Sequence, residues 1–260
     1  MRSPAGNWIV PDWPAPAGVH ALFTTREGGV SEGAFASLNL GLHVGDDVHA
    51  VRENRRRLVA SVPGEPVWLD QVHGAAVASL DVPDLSSSAA APEVATTLAP
   101  IADAAVSAAR NRPCAVLVAD CLPVLFCDAA GEHVGVAHAG WRGLAAGVLE
   151  KTVAALSVPP VELIAWLGPA IGPDAFEVGE EVFAAFVRQS PQAAGAFRPI
   201  AHKPGKYLAD IYALARRRLQ ACGVGSIHGG GLCTVADATR FFSYRRDGRT
   251  GRMAAVIWRV

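Results

Sequence analysis

The segment 115–153 constrains the fold of this chain more than any other stretch. Its runs 115–119 and 124–126 are apolar or β-branched and too short for helices, so they predict strands. Asp120-Cys121-Leu122-Pro123 breaks them apart. The turn Asp128-Ala129-Ala130-Gly131 makes 134–139 the hairpin partner of the second run. From Trp141 the apolar positions Leu144, Val148, Leu149, Val153 and Leu156 follow helical spacing until Pro159-Pro160 stops them. Cys121 and His138 stand where apolar backbone ends and polar chemistry begins.

The remaining elements follow from the same patterns. Residues 20–25 predict a strand, followed by an Arg26-Glu27-Gly28-Gly29 loop whose glycines permit positive φ. Asp46 or Asp47 caps a predicted helix over 48–62, ended by Pro63-Gly64. Residues 67–72 read as a short strand feeding His73-Gly74, with 75–80 continuing it. Residues 81–100 are rich in Pro, Ser, Ala and Thr without any period, and read as a loose surface insertion. Residues 101–106 form a small-residue strand containing Asp103. Further strands are predicted at 163–167, 226–235 and 253–258, and helices at 180–187 and 207–221, the second closed by Gly223. Strands in runs with irregularly interspersed helices give an α+β class. The expectation is one layered domain spanning 1–260, with mixed β-sheets flanked by helices.

Composition narrows the function. Of 260 residues, 51% are hydrophobic and 18% charged, enough apolar material for a sizeable core. A net charge of -1 supplies no long-range field for nucleic acid or an anionic membrane, so neither is an expected partner. The runs Arg55-Arg56-Arg57 and Arg216-Arg217-Arg218 read as solvated helix faces. No stretch of 18 apolar residues exists, and 1–16 lacks a signal-like apolar centre. Five cysteines, an odd and sparse set, fit a reducing cytoplasmic setting better than a disulfide framework.

The sharpest chemistry combines Cys121 and His138 with His73 of WLDQVHG. One thiolate and two neutral imidazoles suit a borderline-soft divalent ion, zinc above all, and leave a fourth position open. Cys114 and Cys127 would lie about 20 Å from Cys121 along extended strands, and His133 roughly 16 Å from His138, too far to share an ion. A cysteine in an apolar run is usually a small core residue, so spacing alone leaves the matter open. The same residues also fit a Cys–His hydrolase. In that case Cys121 is the nucleophile, His138 or His73 the base, and Asp120 or Asp103 the orienting group. The helix starting near Gly140, with Arg142 at its N-terminus, is a candidate site for phosphate or carboxylate. Tyr244-Arg245-Arg246 is a second candidate cradle for an anion or a flat ring, or a clamp on the C-terminus. Gly229-Gly230-Gly231 lacks the strand–GxGxxG–helix order of a dinucleotide fingerprint.

The motifs TTREGGVS, SLNLGLHVGDD, QVHG, ADCLPVLF, HAGWRGLAAGVLEKTV, AWLGPAIGP, FEVG and FFSYRRDGRTGRMA, in this order, resemble the multicopper polyphenol oxidase (laccase-domain) family. That family is associated with purine nucleoside phosphorylase activity and with the bacterial peptidoglycan editing factor. The resemblance runs from about residue 20 to the C-terminus. It implies the laccase-domain, cytotoxic-necrotizing-factor-like fold and zinc held by His73, Cys121 and His138, residues that would also be catalytic. It implies phosphorolysis of adenosine, inosine, guanosine and methylthioadenosine to base and ribose 1-phosphate, with adenosine deamination. A monomer or weak homodimer is expected. Arg26, Asn39, Arg142 and Arg245 fall on motif positions expected to line the substrate and phosphate pocket. Copper fits less well, because a multicopper oxidase needs many histidines and this chain has eight in all. The rivals are a Cys–His hydrolase editing peptidoglycan precursors and a copper-dependent polyphenol oxidase.

Overall fold

The computed structural model describes residues 7–81 and 99–260. In chain order its elements are β1 (Val19–Phe23), α1 (Val48–Val59), β2 (Val77–Ser79), β3 (Ala104–Ser107), β4 (Cys114–Val118), β5 (Leu122–Asp128) and β6 (Val134–Ala139). Then follow α2 (Trp141–Ala145), α3 (Val148–Leu156), β7 (Leu163–Leu167), β8 (Glu177–Gly179), α4 (Glu180–Val187), β9 (Phe197–Pro199) and β10 (Lys206–Ala209). The chain ends with α5 (Ile211–Ala221), β11 (Ser226–Gly229), α6 (Tyr244–Asp247) and β12 (Met253–Arg259). The α+β class expected from the sequence is the one observed.

Period-2 burial sets the layers. In β4, Val116 and Val118 enter one apolar cluster while Ala115 and Leu117 enter another, so this strand is covered on both faces. It belongs to an antiparallel sheet ordered β1-β12-β4. The outer face of that sheet, with Leu117, Val256 and Trp258, packs against Leu58 of α1. Its inner face meets Leu125, Val136 and Trp166 of a six-stranded mixed sheet, β11-β7-β5-β6-β3-β2. The far face of the large sheet, with Val124, Phe126 and Leu163, is covered by Leu149 and Val153 of α3, Phe186 of α4 and Leu214 of α5. The order of layers is therefore helix, small sheet, large sheet, helices. A third sheet, β8-β10-β9, flanks α4, with Phe183 stacked on Tyr207 at 4.6 Å.

Several expectations change. The two apolar runs on either side of Asp120-Cys121 lie in different sheets, so the chain crosses from one layer to the next there. The helix expected from Trp141 to Leu156 is two helices, because Gly147 takes φ 88° between them. Residues 67–72 form only single bridges, at Val67 to Cys114 and at Asp70 to Ile101. Tyr207 lies in β10, and α5 begins after Asp210, which caps the N–H of Ala213 at 2.9 Å. The strand expected over 226–235 ends at Gly229, where three successive glycines take positive φ. Arg55 is no solvated residue: its guanidinium lies 4.1 Å over Trp68 and donates to the Leu40 carbonyl. Arg216 is likewise engaged, donating to the carbonyls of Ile227 and Gly229, and Arg218 pairs with Glu150. The insertion read at 81–100 falls almost wholly outside the described residues, as does the start of 1–16.

Asn54 of α1 ties the glycine-rich N-terminal loops to this frame. Fully buried, it accepts from Val30 N–H at 2.9 Å and donates to Ser31 Oγ and to the carbonyls of Ser37 and Asn39. Asn54→Ala leaves Ser31 Oγ and the Asn39 carbonyl, both on buried residues, without this partner, and should lower unfolding free energy by about 2–3 kcal/mol in a urea titration. A midpoint equal to that of the wild type would contradict the assignment.

Candidate metal centre

A hairpin and a loop converge on one point. β5 and β6 pair with Leu122 opposite Ala139 and Pro123 opposite His138, which brings Cys121, just before β5, beside the end of β6. Asp120 makes the layer crossing at φ 87°, a conformation that Asp tolerates better than most residues. Its carbonyl accepts from Ile171 N–H at 2.9 Å, and its carboxylate accepts from the Thr234 hydroxyl and the Arg245 N–H, both at 2.6 Å. His73 arrives on the loop before β2. Gln71 fixes that loop by bonding both backbone groups of Leu117, at 2.9 and 2.7 Å. The N–H groups of Val72, His73 and Gly74 then all donate to the carboxylate of Asp103, at 3.2, 2.9 and 2.6 Å.

The ligand atoms of His73, Cys121 and His138 lie within 4.8 Å of one another. The two imidazole rings are 4.8 Å apart at 72°. His138 is buried, Cys121 half-buried and His73 exposed, so the group opens to one side. Asp103 Oδ1 sits 2.8 Å from His138 Nδ1, which fixes the ring and leaves Nε2 for an ion. Burial pushes the Asp103 carboxyl up, but the bonds from His138 and from the Gly74 N–H outweigh it and hold it below the usual carboxylate range. Burial likewise opposes ionisation of Cys121, yet His138 and His73 bring its thiol down to about 6. His138, despite burial, is raised to about 9 by Cys121 and Asp103. A thiolate available at neutral pH is the form that binds metal. By contrast burial pushes Cys114 and Cys127 up to about 12, and His133 pairs with Asp128 at 3.2 Å. Among the described residues this is the one cluster of three or more side chains able to hold a metal ion.

Two glycines let the parts approach. A Cβ on Gly140 would lie 2.8 Å from Cys121 Sγ, and one on Gly143 would lie 2.6 Å from the Gly74 carbonyl oxygen. The cluster lines a cavity of about 610 Å³. Trp141, Ile171, Phe176 and Ile211 give that cavity apolar walls, while Arg142, Arg245 and Arg252 give it positive charge.

The structure brings only part of the expected pocket together. Arg142 and Arg245 line the cavity and are exposed, the first 4.5 Å over Trp141, the second 5.7 Å over Phe176. Arg26 and Asn39 do not line it. Arg26 spends its guanidinium on the carbonyls of Ala36 and Ala238 and lies 4.7 Å over Phe242. Asn39 is fully buried and bonds Gly41, Asp46 and the N–H of Arg252. Both are loop braces. The helix carrying Arg142 is only five residues long, too short for the anion-binding N-terminus expected of it. Arg246 holds the preceding 234–241 segment rather than the C-terminus, bonding the carbonyls of Thr234, Val235 and Phe241. Sequence reasoning missed His43, Gln71 and Arg252 as cavity residues.

Comparison with known proteins identifies the family. The family model described as multi-copper polyphenol oxidoreductase laccase matches residues 20–260. The chain belongs to that family. A Pseudomonas aeruginosa member named purine nucleoside phosphorylase is 55% identical over 96% of this chain and 98% of its own. The Escherichia coli member named purine nucleoside phosphorylase YfiH is 52% identical over 97% and 98%. A Neisseria meningitidis crystal structure superposes with a TM-score of 0.88 at 52% identity, covering 98% of this chain and 99% of that one. That of YlmD from Geobacillus stearothermophilus gives 0.87 at 35%, covering 99% and 98%. The family description speaks of several coppers, whereas the described residues of this laccase-family chain form one three-ligand cluster.

If Asp103 orients His138 as this geometry indicates, Asp103→Asn should weaken metal binding about 10- to 100-fold in a chelator competition. Gly140→Ala should act in the same direction by displacing Cys121 Sγ. Unchanged affinity in folded Asp103→Asn would contradict the role.

Proposed function

We propose that this protein is a zinc-dependent purine nucleoside phosphorylase of the cytoplasm, a monomer or weak homodimer. Its substrates are adenosine, inosine, guanosine and methylthioadenosine, and it also deaminates adenosine to inosine. A pairing of two observations carries this reading. Relatives named purine nucleoside phosphorylase match over nearly their full length, and the His–Cys–His ligand set opens into a cavity of nucleoside size. One thiolate and two imidazoles, with Asp103 behind one of them, form a donor set that suits zinc with an open coordination position.

Phosphorolysis breaks the bond between ribose C1′ and the purine nitrogen and forms a C1′–O bond to phosphate. The electron pair of the broken bond leaves on the base. Both events ask for electrostatic stabilisation. When bound, zinc supplies a Lewis acid whose net charge remains positive after one thiolate has ligated it. The chain's own residues do the rest. Trp141, Phe176, Ile171 and Ile211 offer apolar surface to the base and exclude water. Arg142 and Arg245, exposed at the rim, draw phosphate in. Asp103 keeps the His138 ring in one orientation.

A second reading is favoured by the line of Asp103, His138 and Cys121, with the thiol near 6. These residues would also serve a Cys–His hydrolase, for instance one editing peptidoglycan precursors. The two readings separate on one variant. Cys121→Ala should lose zinc and inosine phosphorolysis together, by metal analysis and hypoxanthine release. Full turnover by a zinc-free Cys121→Ala protein would overturn the phosphorylase proposal. The hydrolase reading expects an enzyme insensitive to chelator, inactivated by iodoacetamide, with turnover that needs no phosphate.

A further inference from the structure

Arg252 is the cavity cation with no role so far. We infer that Arg252 seats the phosphate that reacts, while Arg142 and Arg245 serve the rim; naming the anion as phosphate rests on the phosphorylase reading. Arg252 directly precedes β12, half-buried, in the same cavity as His73, Cys121 and His138. Its backbone is fixed, because its N–H donates to Asn39 Oδ1 at 2.9 Å, and Asn39 is held in turn by Asn54 through its carbonyl. Its stem packs on Gly41, where a Cβ would approach Arg252 Cγ to 2.9 Å. The side chain is therefore positioned before any ligand arrives.

The guanidinium is half used. Nη1 donates to the carbonyls of Thr250 and Gly251, at 3.0 and 3.1 Å. Among the described residues, Nε and Nη2 have no hydrogen-bond partner and no carboxylate forms an ion pair with Arg252. Asp120, the carboxylate of the cavity lining, has one oxygen engaged by the Thr234 hydroxyl and the other by the Arg245 N–H. Removing a guanidinium from water is costly, and burial lowers its pKa even against the opposing attraction of Cys121 and Asp120. Nε and Nη2 form one edge of the guanidinium, two parallel donors spaced to meet two oxygens of a phosphate. Arg142 and Arg245 differ, being exposed and laid over aromatic rings, and Arg245 Nη1 is taken by the Glu177 carbonyl.

The test uses zinc-loaded full-length protein. Initial rates with inosine are measured against phosphate concentration, and inorganic phosphate binding is measured by calorimetry without nucleoside. Arg252→Gln should raise the phosphate KM and the phosphate dissociation constant by about 10- to 100-fold, leaving the inosine KM within about twofold. Arg252→Lys keeps the charge without the two-donor edge and should fall between. It also carries the test if the glutamine variant does not fold. Arg56→Gln, on the exposed face of α1, should change neither constant. Unaltered phosphate constants in either folded Arg252 variant, or no phosphate binding by the wild type, would overturn the inference. Phosphate binding that depends on Arg252 without any turnover of inosine would support this seat while contradicting the phosphorylase reading.

Discussion

The carboxylate of Asp103 has no access to water, and an ionised carboxylate in that position is costly unless several donors surround it. Four donors do so here: three consecutive N–H groups from Val72 to Gly74, and the His138 ring. The donors come from a loop before β2 and from β6. Satisfying one buried charge thus draws two otherwise unrelated imidazoles together. The backbone adds to this, since the Asp103 carbonyl accepts from His138 N–H at 2.7 Å and its own N–H donates to Ala76. Site geometry is in this sense the solution of a solvation problem.

The third side chain able to ligate, Cys121, is delivered by the layering. β4 and β5 lie in stacked sheets, so the short link between them must cross layers, and Cys121 sits on that link. Asp120 stabilises the crossing through Thr234, Ile171 and Arg245, which also joins the C-terminal segment to the cavity. Gly140 and Gly143 then let α2 close against Cys121 and the His73 loop. The His–Cys–His cluster, rim arginines and apolar wall are therefore parts of one packing arrangement, and a change at either glycine is felt at the cluster.

Much of this is legible in the sequence, for identifiable reasons. Cys121 and His138 stand at the ends of apolar runs, and the Asp128–Gly131 turn pairs 124–126 with 134–139 in the hairpin that is observed. The crossing between β4 and β5 is not legible, because strands buried on both faces carry no alternation to tell one layer from another. The helix break at Gly147 is hidden because Leu144, Val148, Leu149 and Val153 all enter the same cluster on either side of it. The arginines are the hardest case. Arg245, Arg246 and Arg252 lie within one short segment and look alike in sequence. Only packing separates the rim residue, the clamp that bonds Thr234 and Phe241, and the half-buried residue with a free edge. Arg26 and Asn39 sit in motifs of the right kind, yet their side chains are consumed by loop carbonyls and amides.

The claim that the His–Cys–His centre serves phosphorolysis is met most directly by following zinc-loaded protein with inosine and inorganic phosphate by phosphorus NMR. The phosphate signal should fall as a ribose 1-phosphate signal grows, in step with hypoxanthine. Hypoxanthine released at the same rate without phosphate, with no sugar phosphate formed, would contradict it.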